Sequence, residues 1–241
     1  MAESAYLQDF AIRDSELLDS PRHTAVVRIT HWVTTLSFFG LLVSGIAILV
    51  AHPRLYWGET GSVGTPSLLD LPIPFLLGHS GWGRYLHFLS AWVCVMTGLI
   101  YVLYGFSAGH FRKNLLPDKS ELAWSRIWRV VWNHLRLRRG TEEESLRYNV
   151  LQRLAYLTVI FVLFPLIILT GFAMSPAITS VVPALVEIFG GQQSARTIHF
   201  FVAVFLVLFL IVHVAMVALA GFTSRMRGMI AGRITAGKQP S

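Results

Sequence analysis

The sequence predicts an all-α integral membrane protein, one bundle of four transmembrane helices. Three observations carry that prediction. Four stretches of about 20 or more residues contain no Asp, Glu, Lys or Arg, the length a helix needs to cross about 30 Å of hydrocarbon. Of the 241 residues 54% are hydrophobic and only 14% are charged, whereas a soluble domain carries about 25% charge. The basic residues also fall unevenly among the segments that join the stretches. This composition excludes a soluble enzyme domain and a disordered chain. The single cysteine, Cys94, excludes a disulfide framework, a thiolate-held iron–sulfur cluster and a thiolate zinc site. No C-x-x-C-H is present for covalent haem attachment.

The elements follow in order. The first 20 residues hold five acids and no apolar run, so a cleaved signal peptide is not expected there, and the first span is expected to serve as an uncleaved insertion signal. The spans cover about 29–50, 85–106, 154–174 and 198–222. Helices are expected because lipid cannot satisfy backbone polar groups, and the stretches lack the alternation of barrel strands. In the loop 51–84, the apolar run 68–77 is broken by Pro72 and Pro74 and is expected at the interface, with Trp57 and Trp82 as belt residues. In the loop 107–153, residues 122–137 carry Trp124, Trp128 and Trp132 at helical spacing beside Arg126, Arg129 and Arg136. That pattern predicts a helix lying on anionic lipids of the inner leaflet. The basic excess is therefore assigned to a membrane surface and not to nucleic acid.

Seventeen of the twenty Lys and Arg lie in the two tails and the loop 107–153, and three lie in the loops 51–84 and 175–197. By the positive-inside rule both termini and the middle loop are cytoplasmic, and the other two loops face outward. The whole chain, 1–241, is expected to form a single domain in the inner membrane of a bacterium.

Ionisable residues inside spans are rare and point to function. Four of the nine histidines fall in spans: His31, His87, His199 and His213. His199 and His213 are 14 residues apart, within about 40° of one helix face and about 21 Å apart along the axis. His87 enters span two at the depth of His199, and His31 lies near the depth of His213. Zinc or copper would take three or four protein ligands. Two opposed imidazoles at each depth, with no carboxylate beside them, instead suit iron whose other four positions a porphyrin fills. The bundle is thus expected to hold two stacked, non-covalent, bis-histidine b-type haems, with His31, His87, His199 and His213 as the iron ligands.

Two further patterns fit. Gly45 lies at the depth of the outer pair on nearly the His31 face, and Gly98 lies toward the inner pair on nearly the His87 face. A missing side chain lets a flat ring approach the backbone; glycine is also common in transmembrane packing. Arg-x-x-His occurs three times, as Arg28/His31, Arg84/His87 and Arg196/His199. Each Arg sits one turn nearer water than its His, where a propionate would emerge and a guanidinium fork could pair with it.

With these residues in view, the chain resembles the di-haem cytochrome b subunits of nickel–iron hydrogenases, of formate dehydrogenase (its gamma subunit) and of thiosulfate-reductase-type molybdenum enzymes. The matching residues are Arg28-Ile29-Thr30-His31-Trp32 and Ser44-Gly45 in span one, Arg84-Tyr85-Leu86-His87 in span two, His199 and His213 in span four, and Tyr148-Asn149-Val150-Leu151-Gln152-Arg153 at the mouth of span three. The resemblance covers about residues 22–225. It implies that span four gives one ligand to each haem, that spans one and two give the others, and that span three gives none. It also implies a quinone site beside the inner haem, with Asn149 reaching the quinone and Gln152 near it. Asn149 is equally placed to cap span three.

The expected function is transfer of electrons between an extracytoplasmic molybdenum or nickel–iron oxidoreductase subunit and the membrane quinone, as a subunit of an oxidoreductase complex. Two alternatives remain open. One is a free-standing quinone-linked cytochrome b; the other is a transporter with histidine proton relays, against which stand the absence of span carboxylates and of a broken-helix repeat.

Overall fold

The computed structural model describes residues 23–61, 64–73, 80–117, 150–219 and 221–232. Asn149, His79 and the segment 122–137 lie outside the described residues. Four helices are long and apolar enough to cross a membrane. They are α1 (Ala25–Ala51), α2 (Ser80–Ser107), a third span over Val150–Ala173, and a fourth over Gln192–Leu219.

The helices take in at least the four residues that precede each uncharged stretch, and in the fourth span six. Arg28, Arg84, Arg153 and Arg196 therefore sit inside helices rather than before them. A charge-free window finds the hydrocarbon-crossing part, whereas the first turn reaches on into the headgroup region, where long basic side chains extend to water. The fourth span, expected to run to 222, is described to Leu219, and Gly221 beyond it takes a left-handed conformation (φ +98°) that breaks the helix.

The third span is not uniform. It runs as α3 (Val150–Thr158), a π-helical turn (Val159–Leu163) and α4 (Phe164–Ala173). Pro165 has no N–H to return to the carbonyl four residues back. Just before it, the Phe164 N–H bonds to Val159 O, five residues back. Thr158 to Phe164 thus stays helical through a π-turn, which is tolerated within a bundle.

Two short helices follow, α5 (Pro176–Thr179) and α6 (Ala184–Ile188), then α7 (Gln192–Leu219) and α8 (Phe222–Ala231). No helix was expected in the tail; Gly221 and Gly232 (φ +80°) bracket α8. The helix returns to the start of α1, where Trp32 Nε1 donates to Met229 O (3.1 Å) and an Arg28 Nη1 donates to Ile230 O (3.0 Å). These are carbonyls of the last turn of α8, which have no partner within the helix, and a cation is favoured there.

The spans pack in pairs. Small residues at alternating steps of three and four, Ser37, Gly40, Ser44, Ala47 and Ala51, let α1 approach α2 closely. A Cβ on Gly40 would collide with Ser90 Oγ, and one on Gly83 would stand 3.1 Å from Ala47 Cβ. The third and fourth spans form the other pair, with Val159, Val202 and Leu206 buried between them. Between the two pairs the backbones stand further apart. The large apolar side chains on the outside, such as Leu36, Leu89, Leu103 and Phe205, suit lipid.

At the end of the bundle that carries the loops 51–84 and 175–197, a two-residue antiparallel ladder pairs β1 (Arg54–Leu55) with β2 (Leu69–Asp70). The part of the apolar run 68–77 that is described thus includes a strand. The segment is clamped to the start of α7. Gly58 O accepts from the N–H groups of Gln193 (3.0 Å) and Ser194 (3.3 Å), two donors that a helix start leaves unpaired. Gly58 N donates to Ser194 Oγ (2.7 Å), and Thr197 Oγ1 donates to Tyr56 O (2.6 Å). Gly191 (φ +115°) meets this segment so closely that a Cβ would run into the Gly58 backbone.

Candidate functional site

The four span histidines come together as two pairs across the space between the helix pairs. His87 of α2 faces His199 of α7 toward the loop end, and His31 of α1 faces His213 of α7 toward the tail end. The ring centroids are 6.2 Å apart, tilted by 56°, in the loop-side pair. They are 6.4 Å apart, tilted by 52°, in the tail-side pair. All four rings are half-buried.

These separations test the donor set. A metal–imidazole bond of about 2.0 Å, with the ring centre about 1.2 Å beyond the nitrogen, puts two rings on opposite sides of one ion about 6.4 Å apart. Both pairs match that spacing. Among the described residues no group of three or more His, Cys, Asp or Glu gathers, and two imidazoles per pair are the protein ligands that a bis-histidine macrocycle would take. The residues present fit b-type haem.

The surroundings of the two pairs differ. On the loop side, Ser44 Oγ lies 3.0 Å from His87 Nδ1, and Thr170 Oγ1 lies 3.0 Å from His199 Nδ1. Both hydroxyl residues are fully buried. Each is followed by glycine. A Cβ on Gly45 would stand 3.8 Å from His87 Cε1, and one on Gly171 would stand 3.6 Å from His199 Cε1. Thr170 and Gly171 are candidate-site residues that the histidine pattern does not reveal, because span three has no histidine. The available signal is that Thr-Gly in span three repeats the Ser-Gly of span one.

On the tail side, the neighbours are aromatic. Trp32 meets His31 edge-on at 5.3 Å, Phe209 stacks on His213 at 5.8 Å, and Tyr156 meets His213 edge-on at 6.1 Å. His31 Nδ1 is buried with no hydrogen-bond partner among the described residues. A Cβ on Gly98 meets nothing within 4 Å, so the space beside that position is open. Gln152 is half-buried one turn before Tyr156 on the third span.

The three arginines lie as follows. Arg28 Nη1 is used on Ile230 O, whereas its Nε is buried without a partner among the described residues. An Arg196 Nη2 donates to His52 O, joining the loop-side ends of the first and fourth spans. Arg84 is exposed at the same end. His52 senses both of these cations. Partial burial, then the charges of Arg196 and Arg84, hold its pKa below the ordinary histidine value. Three cationic or ionisable donors therefore gather at the loop end, a setting that favours a carboxylate.

The chain is similar to known proteins over most of its length. Residues 22–232 match the family described as prokaryotic cytochrome b561. A chain designated as a protein-methionine-sulfoxide reductase subunit, YedZ1, of Azospira oryzae is 31% identical over 82% of this chain and 90% of its own length. A Ni/Fe-hydrogenase B-type cytochrome subunit assigned in Azotobacter vinelandii is 26% identical over 84% of this chain and 82% of its own. One assigned in Cupriavidus necator is 28% identical over 80% and 76%.

Proposed function

The chain belongs to the prokaryotic cytochrome b561 family of membrane cytochromes b, and from that premise we propose that it links an oxidoreductase subunit outside the membrane to the quinone pool within it. The observation that carries this reading is the pair of facing imidazole couples at two depths. His87 and His199 hold one b-type haem toward the loops, and His31 and His213 hold a second toward the tails. Each bound haem supplies a one-electron iron(III)/iron(II) couple.

The rest of the work falls to the protein. Two imidazoles on each iron leave no open position, which disfavours oxygen chemistry. Arg28, Arg84 and Arg196 stand at the water-facing ends of their helices and hold the propionates. Gly45 and Gly98 leave room for the rings. With both tails and the basic middle loop in the cytoplasm, the loop end faces outward. There the clamped loops 51–84 and 175–197 receive the partner, an oxidoreductase subunit of nickel–iron or molybdenum type. The names of the relatives, hydrogenase and reductase subunits, support a partner of this class.

Quinone binds at the tail end. Gln152 lies one turn from Tyr156, whose ring meets His213, and Asn149 precedes Gln152 by three residues in the sequence. An Asn149 amide can donate to a quinone carbonyl. The four uncharged stretches hold no carboxylate to move protons deeply, so the quinone takes its protons from nearby cytoplasmic water.

The test is a pyridine haemochrome assay on the purified full chain, with His87→Ala and His31→Ala beside it. Two non-covalent haems per chain are expected, with one lost in each variant. One haem in fully loaded wild-type protein overturns the pairing, and absence of a reduced b-type band overturns the reading altogether.

A further inference from the structure

We infer that Ser44 and Thr170 are positioning residues that set the tautomer of the loop-side ligands and hold that site toward its oxidised state, an inference that rests on the two-haem reading above. The geometry begins with the hydroxyl protons. Ser44 Oγ lies 2.6 Å from Gly40 O and 3.1 Å from Leu41 O. Thr170 Oγ1 lies 2.8 Å from Leu166 O and 3.0 Å from Ile167 O. A hydroxyl has one proton, and in both residues carbonyls of the preceding turn accept it. What each oxygen offers the neighbouring imidazole is therefore a lone pair. His87 Nδ1 and His199 Nδ1, each 3.0 Å away, must be the donors.

Two consequences follow. With the proton fixed on Nδ1, the Nε2 lone pair is free for iron, so both rings are in the ligating tautomer before any haem arrives. A ligated imidazole that donates from its other nitrogen is also more basic toward the metal. A more basic ligand favours iron(III) over iron(II) and lowers the midpoint potential. The chain of hydrogen bonds runs from imidazole N–H to hydroxyl oxygen, and from hydroxyl O–H to helix carbonyl. It occurs on both ligands of this one site, from two different helices, with a glycine after each hydroxyl that admits the ring.

On the tail side His31 shows no such hydroxyl partner among the described residues. His31 Nδ1 is buried and unpartnered among the described residues, and Thr30 beside it turns its hydroxyl to Val26 O (2.8 Å) and Val27 O (3.2 Å). Aromatic rings surround the pair instead. With a haem held at each pair, the two hydroxyls would bias a shared electron toward the tail side: loop-side iron(II) would be oxidised as tail-side iron(III) is reduced, with no proton or group transferred. Removing a hydroxyl makes the loop-side site a weaker reductant of its neighbour.

The experiment is an anaerobic potentiometric titration of the purified full chain, followed at the reduced b-type absorption band, for wild type, Ser44→Ala, Thr170→Val and His87→Ala. The wave missing in His87→Ala identifies the loop-side site. Outer-shell partners of ligating histidines change metal binding by about 10–100-fold. A tenfold preference between oxidation states corresponds to about 59 mV for a one-electron couple. Ser44→Ala and Thr170→Val should each raise the loop-side wave by about that amount, leave the other wave in place and keep both haems. Thr170→Ser and Ser44→Thr restore an acceptor and should titrate as wild type. The inference is overturned if neither variant moves the loop-side wave, or if the wave that survives in His87→Ala moves with it. It is also overturned if both variants fail to load haem there while the Ser/Thr exchanges load normally, which would reduce the hydroxyls to a structural role. Because the two substitutions act on different ligands, either variant alone reads the effect. Fewer than two waves in the wild type would instead overturn the two-haem reading.

Discussion

Thr197→Val is a sharp probe of how the loop end is held. Thr197 is 1% exposed, and its hydroxyl donates to the carbonyl of Tyr56, itself 9% exposed. Valine keeps the shape and removes the donor. The Tyr56 carbonyl is then buried without that partner, which costs about 1–3 kcal/mol. The cost falls on one local unit, the segment around β1 clamped to the start of α7, because the other bonds of the clamp, Gly58 with Gln193 and Ser194, remain. A local opening equilibrium should therefore rise about 5- to 150-fold. Arg54 is exposed within this segment and paired with Asp70, so tryptic cleavage there, in detergent-solubilised protein under conditions where opening is fast relative to cleavage, reads that equilibrium. Thr197→Ser keeps the donor and should cleave at the wild-type rate. A Thr197→Val protein cut at Arg54 within twofold of wild type would refute the reasoning, since the bond would then be replaced by water without cost.

Four further outcomes are expected. His199→Ala and His87→Ala should each lose the loop-side haem and keep the tail-side one, read by optical spectra at matched protein concentration; loss of a haem in His79→Ala but not in His87→Ala would reassign the ligand. Asn149→Leu should slow quinone-coupled turnover with both haem spectra unchanged, and quinone exchange at the wild-type rate would leave Asn149 as a helix cap. His52 should titrate below the ordinary histidine value by NMR, staying neutral at pH 7. Because its folded pKa is depressed, the folded state loses stability as pH falls below the unfolded value of 6.5, so acidification loosens the loop end, whereas Arg196→Gln should bring the His52 pKa back up. Trp32→Phe removes the donor to Met229 O and should speed hydrogen exchange in α8 with little effect in α7.

The sequence made the bundle legible because its signals are long and periodic. A charge-free window finds a membrane crossing, and at 100° per residue the interval from His199 to His213 returns to one face. The pairing partners followed from depth alone, and His87 and His31 do face His199 and His213. What stayed hidden depends on contacts that no spacing encodes. The clamp at the loop end is built largely on the carbonyls of His52, Tyr56 and Gly58, which every residue possesses. The tail helix α8 depends on left-handed glycines at 221 and 232, and glycine is common throughout the chain. Thr170 was missed for a different reason: a hydroxyl in a span ordinarily bonds its own preceding turn, as Thr35 and Ser37 do. Only the neighbouring histidine distinguishes it.

Helix by helix, the bundle ties the two histidine pairs to one another. α7 carries a histidine of each pair, so the rise along one helix, about 21 Å over 14 residues, sets their spacing. α1 places His31 in one pair and Ser44 against His87 of the other. The third span has no histidine, yet Thr170 reaches one pair and Tyr156 meets the other. Between these two contacts lies the π-turn before Pro165, which changes the angular register of the helix, so the facing of Thr170 relative to Tyr156 depends on it. Pro165→Ala restores the missing N–H donor and permits a regular α-helix. If the register then relaxes, Thr170 or Tyr156 must turn away from its histidine. The expected result is a changed potential or spectrum at one site, with the four ligands intact and haem content unaltered. Unchanged potentials at both sites would mean that packing against Val202 and Leu206, and not the proline, sets the turn.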